Sequence, residues 1–281
     1  MILARENDKE NFLYNFIINF IAYNISDYEA LKKTNKCEGC NLSDVDLSSL
    51  TLKNIDLTAS NLSNAIFSDT NLERSKLDDV IMTSSNFYKA NLRNVTLKRA
   101  RLDDSNLIDS DLSNAIMINA SMRNSDLENA ILDSAILSNA NINNSNIRMA
   151  SLVKSNLTNI LLRGSDISLS DFSQADITNG DLSLLIAINT NFFESTLLNA
   201  HFYKANLSQS NFKNADLTNT DFSNSDMSYV DFTGANMINT SLFGADLRYA
   251  NLRYAKLLEV NLDKAIFCET RLPWGVRNDN C

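Results

Sequence analysis

The fold is decided by residues 205–249, which read ANLSQ SNFKN ADLTN TDFSN SDMSY VDFTG ANMIN TSLFG ADLRY. Each block of five opens with a small residue and holds Leu, Phe or Met in third place. The same period extends in both directions. From Leu42 to Leu272 in steps of five there are 47 positions, and 46 of them hold Leu, Phe, Met or Ile, with Ala187 as the exception.

A period of five fits neither an amphipathic helix nor a two-sided strand, whose periods are 3.6 and 2. It fits one side of a square coil, in which a short extended segment turns the small and the large apolar residue inward before a corner. Four sides close a coil of about 20 residues, so the repeats predict about 12 coils stacked at sheet spacing. We therefore predict an all-β solenoid, a parallel β-helix.

Stacking also predicts which core residues lie above one another. A small residue at the second inward position leaves room for large side chains at native packing density. Positions 20 residues apart belong to one column. The predicted aromatic columns are Phe172, Phe192, Phe212 and Phe232 on one side and Phe202 with Phe222 on the adjacent side.

The repeat resembles a known family motif. Ala90-Asn91-Leu92 and Ala215-Asp216-Leu217 are similar to the A(D/N)Lxx unit of the pentapeptide repeat family. The resemblance covers residues 40 to about 274, and it implies a right-handed quadrilateral β-helix. We assign residues 1–39 to an N-terminal α-helical cap, 40–274 to the pentapeptide-repeat β-helix and 275–281 to a C-terminal tail.

The ends of the repeat need covering because a solenoid exposes apolar surface there. Apolar residues at helical spacing from Phe12 to Ile21 predict one amphipathic helix, and Ser26 with Glu29 predicts a capping box that begins a second. The alternative for this segment is binding to a membrane surface or a partner helix. At the other end, Pro273 stops the ladder and Trp274 is placed to cover the last coil.

Composition bounds the partners and the compartment. The net charge of −9 and pI near 4.7 disfavour direct nucleic-acid binding, which needs a basic surface. No secretory signal is evident, and no apolar stretch is long enough for a membrane span. Four cysteines are too few for a disulfide scaffold in a chain of 281 residues, which favours a reducing compartment. We predict a cytoplasmic protein, in the producing cell or delivered into a host as an effector.

Residues suited to catalysis are scarce. Cys37 and Cys40 form a CxxC motif without the second pair of a zinc site, so Cys40 is expected simply to face the core. His201 is the single histidine and occupies an outward position. No phosphate-binding loop or nucleophile elbow occurs. The sequence predicts no metal, no cofactor and no enzymatic activity.

Two groups of outward residues are candidate partner-binding sites. The first, which we call the apolar belt, comprises Leu184, Ile186, Ile188, Phe193 and Leu198. An exposed apolar patch often marks an interface, and the alternative is a local bulge or a different register that buries some of these side chains. The second group joins Tyr229 and Tyr249, 20 residues apart, with Arg253, because Tyr and Arg are frequent in interface hot spots.

Acidic residues suggest a different function. Residues 161–246 hold ten acids and three bases. Four acids lie on successive sides of the coil: Asp216, Asp221, Asp226 and Asp231. They form either a solvated surface or a mimic of DNA phosphates. The family resemblance implies the second possibility, since some members inhibit DNA gyrase in this way.

The leading functional hypothesis is a non-catalytic scaffold that binds a protein partner. The alternative is a DNA mimic that binds or inhibits a type II topoisomerase. Either function is compatible with an oligomer, and the identity of the partner does not follow from the fold.

Overall fold

A computed structural model describes residues 24–281. One helix, α1 (Ile25–Thr34), precedes a long repetitive body. The body ends with four short strands, β1 (Asn236–Ile238), β2 (Lys256–Leu258), β3 (Thr270–Leu272) and β4 (Gly275–Arg277). The amphipathic helix predicted around residues 12–21 lies outside the described residues. No helix in the described range is long and apolar enough to cross a membrane.

The body is a parallel ladder whose partners are 20 residues apart. It runs from the pair Lys36 with Asp56 to the pair Asn251 with Arg271. Most sides contribute one paired residue, so only β1 and β2 form a longer parallel pair. The ladder begins one repeat before the predicted start at residue 40. This geometry confirms a solenoid with 20 residues in each coil.

Each side ends in a tight turn. In a typical turn, the Val45 amide donates to the Leu42 carbonyl at 3.3 Å, and Asp44 between them has a φ of 59°. A positive φ recurs at every fifth residue along the body. Because a coil holds four such turns, its cross-section is four-sided.

The core is formed by the two inward positions of each repeat. The predicted phenylalanine columns are confirmed, because Phe192 and Phe212 stack at 4.6 Å between ring centroids and Phe202 and Phe222 at 4.9 Å. Rings of the two columns also meet edge to face, which is a favoured aromatic geometry. Ala187 keeps the inward register and is fully buried despite its small size.

A ladder of serines satisfies polar groups inside one wall of the core. The hydroxyl of Ser125 donates to the Leu102 carbonyl at 2.8 Å and accepts the Ser105 amide at 3.2 Å. The same arrangement links five buried serines, Ser85, Ser105, Ser125, Ser145 and Ser165. A small hydroxyl at this position therefore fills the space of an alanine and also pairs two buried backbone groups.

Helix α1 packs on the first coil. Its Leu31 is buried in the core, and the Asp27 carboxylate accepts the Asn41 amide at 2.9 Å. The predicted capping box is wrong in one respect, since Asn24 is the N-cap and accepts the Ser26 amide at 2.9 Å. An asparagine side chain satisfies a free helical amide as well as serine does, and here it stands two residues earlier.

Both ends of the solenoid carry a disulfide. Cys37 bonds to Cys40 across the first corner, and Cys268 bonds to Cys281, which fastens the tail to the last coil. The tail also receives a hydrogen bond from the Phe267 amide through Asn280, while β3 and β4 pair as an antiparallel hairpin. The sequence favoured a reducing compartment, whereas the structure pairs all four cysteines. Cys40 is half-buried and covalently paired rather than simply facing the core.

Candidate protein-binding surface

The corners of the solenoid impose a demanding backbone conformation. Every turn places one residue in the left-handed region, which Asn, Asp and Gly adopt readily and bulky residues do not. Four corner columns run the length of the rod, and their residues at this position differ sharply in chemistry. A bulky residue at a corner is therefore a clear departure from the residue that the backbone favours there.

One corner, which we call the asparagine corner, follows the backbone preference over a long stretch. From residue 139 to residue 239 every left-handed position on it is Asn. From Asn159 onward, each side-chain amide donates to the amide oxygen one coil earlier, at 3.0–3.2 Å. The members are Asn139, Asn159, Asn179, Asn199, Asn219 and Asn239. This corner forms a continuous polar ladder.

The diagonally opposite corner carries bulky residues instead. Leu169 and Asn179 are ten residues apart, which is two of the four sides of a coil. At the left-handed position this corner holds Met149, Leu169, Tyr229 and Tyr249, with φ of 57°, 64°, 62° and 63°, and the polar residues Asn189 and Gln209 separate the two pairs. Ile188 lies one coil after Leu169, one residue before the corner position. Together with the four bulky residues it forms what we call the apolar ridge.

The ridge side chains at the left-handed positions are exposed to solvent, and Ile188 is half-buried. Met149 and Leu169 are each 48% exposed, and Tyr229 is 58% exposed. A shallow depression spans three coils between Leu169, Ile188 and Arg148. Farther along, the rings of Tyr229 and Tyr249 stack at 4.7 Å between centroids, as expected from their spacing. Backbone strain and exposed apolar area therefore coincide at four positions of this corner, whereas Leu184 and Tyr254 combine them singly at other corners.

The predicted apolar belt is divided by the fold. Ile186 is exposed on the side that leads to the ridge, and Ile188 is half-buried within it, while Leu184 is exposed at the preceding corner. Phe193 and Leu198 are half-buried at the next two corners. The ladder continues through Ile186, from Asp166 to Asn206. No bulge interrupts the described backbone here, so that alternative is wrong.

Sequence reasoning missed Met149 and Leu169. The available signal was their occurrence at the turn position that Asn usually fills, combined with their 20-residue spacing. Arg253 does not join the tyrosine pair, because it lies at the following corner beside Tyr254 and the C-terminal hairpin. The structure therefore separates Arg253 from the two tyrosines and places Ile188 beside Leu169.

The four candidate mimic acids lie on four different sides and serve local turns. Asp216, Asp221, Asp226 and Asp231 each accept the backbone amide two residues later, at 2.9–3.2 Å. Burial raises the pKa of Asp231, but hydrogen bonds from Thr233 and Lys213 outweigh it and lower the pKa below its ordinary value. These carboxylates form no single stripe along the rod.

Groups suited to catalysis remain dispersed. His201 is exposed on the outer surface. Within residues 24–281 no three His, Cys, Asp or Glu side chains come together in a cluster able to hold a metal ion. The surface features with a distinctive arrangement are thus the ridge and the C-terminal cleft.

Comparison with known proteins gives two family matches. A family described as a pentapeptide repeat region matches residues 34–107 and 188–267. A second, described as pentapeptide repeats in eight copies, matches residues 120–159 and 148–183. The search of curated protein sequences finds no significant match.

Several solved structures are similar to the chain. HetL, a pentapeptide repeat protein involved in heterocyst differentiation regulation in the cyanobacterium Nostoc sp. strain PCC 7120, is 23% identical, with 89% of this chain and 96% of that chain covered and a TM-score of 0.32. A protein of the Arabidopsis thaliana thylakoid lumen is 30% identical over 34% of this chain and 70% of that chain, with a TM-score of 0.29. QnrB1, a plasmid-mediated fluoroquinolone resistance protein, is 15% identical over 76% and 92%, with a TM-score of 0.30.

Proposed function

The chain belongs to the pentapeptide repeat family, and from that premise we propose that it is a non-catalytic scaffold that binds a protein partner through its apolar ridge. The observation that carries the proposal is the alignment of Met149, Leu169, Tyr229 and Tyr249 at left-handed positions on one corner. Asparagine fills the same position on the opposite corner, so the backbone does not require bulky residues there. They reduce stability without filling the core, which is typical of residues kept for binding.

The ridge also indicates the shape of the partner surface. Met149 and Tyr249 are five coils apart, and coils stack at about 4.8 Å, so the ridge is roughly 24 Å long. It is narrow because each coil contributes one corner. We infer that the partner presents an elongated apolar groove, into which Leu169, Ile188 and the stacked tyrosines insert.

A matched pair of photocrosslinking variants tests the ridge. A benzophenone amino acid replaces Leu169 in one variant and Asn179, at the same height on the opposite corner, in the other. The experiment uses lysate of the source organism and of any host. We expect one discrete protein adduct at position 169 that disappears when Tyr229 and Tyr249 are changed to Asn. Equal crosslinking at both positions, or an adduct insensitive to the tyrosine changes, would refute binding through the ridge.

DNA mimicry is the second candidate, and the excess of seven negative charges over residues 161–246 favours it (ten acids, three bases). A type II topoisomerase is the partner that it implies. The test is a gyrase supercoiling assay with the parent and a variant in which Asp216, Asp221, Asp226 and Asp231 are Asn. Inhibition by the parent that the variant loses supports mimicry. Absence of inhibition, or equal inhibition by both proteins, excludes the carboxylate mechanism.

Finer features of the rod belong to the proposal as well. We propose a right-handed coil with about 12 turns and a cap in which α1 shields the first coil. The two disulfides favour an oxidising compartment over the predicted cytoplasm. Their state in freshly isolated protein, measured by thiol labelling before and after reduction, tests this point.

A further inference from the structure

A cleft opens at the C-terminal end of the rod. It lies between the corner formed by Arg253 and Tyr254 and the β3–β4 hairpin, which contributes Arg271 and Val276. The Asn251–Arg271 bridge places these two segments in adjacent layers, and Arg271 pairs with Val276 across the hairpin. The cleft thus combines two guanidinium groups with apolar and aromatic walls.

The cleft holds two of the four arginines in residues 24–281 that form no ion pair with a carboxylate. Seven arginines in the described part of the chain form ion pairs with carboxylates. Within the same residues, neither Arg253 nor Arg271 has a carboxylate partner, and both are exposed. Residues 247–281 carry six bases and four acids, a net charge of +2. Because the whole chain has a net charge of −9, residues 1–246 have a net charge of −11. The cleft is therefore in a basic part of an acidic rod, which has a second run of bases from Lys89 to Arg101.

We propose that this cleft binds an acidic peptide segment, with a carboxylate or phosphate group held between Arg253 and Arg271. Guanidinium groups bind both oxyanions through paired, charge-assisted hydrogen bonds. Tyr254, which is 84% exposed, and Val276 provide a surface for an apolar residue next to the anion. The excess of acids over residues 161–246 repels such a peptide, which favours this end over the middle of the rod.

Fluorescence anisotropy with three labelled peptides tests the proposal. The three peptides are identical except at two adjacent positions next to a Phe. These two positions hold Glu-Glu in the first peptide, phosphoserine and Ser in the second, and Gln-Gln in the third. The proteins are the full chain and the variants Arg253→Gln, Arg271→Gln and Arg163→Gln. Arg163 is exposed and lacks an ion pair within residues 24–281, so its variant matches the charge lost. A melting curve for each protein verifies the fold.

We expect the Glu or phosphoserine peptide to bind at least tenfold more tightly than the Gln peptide. Arg253→Gln and Arg271→Gln should each reduce that affinity about tenfold, and Arg163→Gln should leave it unchanged. Preference for Glu identifies a carboxylate ligand, and preference for phosphoserine identifies a phosphate ligand. Equal affinity for the Gln peptide, or an equal loss with Arg163→Gln, would overturn the proposal. Crosslinking at Leu169 should persist in all three variants, because the cleft and the ridge are separate surfaces.

Discussion

The change Leu169→Asn should stabilise the protein, although it removes apolar surface. Leu169 has a φ of 64° and is 48% exposed. The left-handed conformation costs an ordinary residue roughly 1–2 kcal/mol, and asparagine is among the residues that visit it routinely. Relief of this strain is the favourable contribution to the free energy of unfolding.

Two smaller contributions decide the net change in the free energy of unfolding. About half of the leucine side chain is buried, so its removal forfeits roughly 1 kcal/mol of burial. The new amide would face Asn189 one coil away and could repeat the bond of the asparagine corner, which adds about 0.5–1 kcal/mol. The sum predicts a gain of about 1 kcal/mol.

The reverse change at the opposite corner gives the matched control. Asn179 donates to Asn159 at 3.1 Å and accepts from Asn199 at 3.0 Å. Asn179→Leu removes both bonds and introduces a leucine at a φ of 59°. Partial burial of the leucine offsets part of the loss. We expect a decrease of about 1–2 kcal/mol in the free energy of unfolding.

Equilibrium unfolding in urea, followed by far-ultraviolet circular dichroism, measures both variants. A shift of the midpoint at constant slope reports stability alone. Leu169→Asn should move the midpoint up and Asn179→Leu should move it down. A Leu169→Asn variant as destabilised as Asn179→Leu would show that Leu169 is required for the fold, and the argument for a binding ridge would fail.

Three other perturbations test the fold itself. Leu132→Asp buries an unpaired charge at a fully buried position and should cost several kcal/mol, whereas an unchanged melting temperature would place residue 132 outside the core. Burial raises the pKa of Asp103, but hydrogen bonds from Arg123 and other donors lower it from 3.8 to about 2. The ionised Asp103 therefore stabilises the fold above pH 3.8, and this stabilisation is lost as the pH falls toward 2. When the free energy of unfolding is measured over this range, the parent should lose about 2 kcal/mol more than the Asp103→Asn variant. Reduction of the Cys268–Cys281 bond, which spans 13 residues, should lower stability by about 3 kcal/mol, and the double Ser variant should respond much less to reductant.

The repeat determined the architecture because each inward residue is specified locally. Five residues form one side and one corner, so the period fixes which side chains point inward without knowledge of distant contacts. The phenylalanine columns followed from the 20-residue coil, and the structure confirms them through Phe192 and Phe212. The family resemblance and the solenoid were thus available from the chain alone.

The outward surface was decided by tertiary structure. Whether Leu169, Ile188 and Tyr229 share an edge depends on the corner that each occupies, and their exposure depends on the neighbouring coils. The cysteine pairs and the Asn24 cap likewise arise where the repeat stops and no period constrains the chain. Arg253 and Arg271 line one cleft because the ladder stacks Arg271 on Asn251 and the hairpin closes the other side. Local periodicity therefore determined the core, whereas contacts between coils and at the ends created the surfaces available for binding.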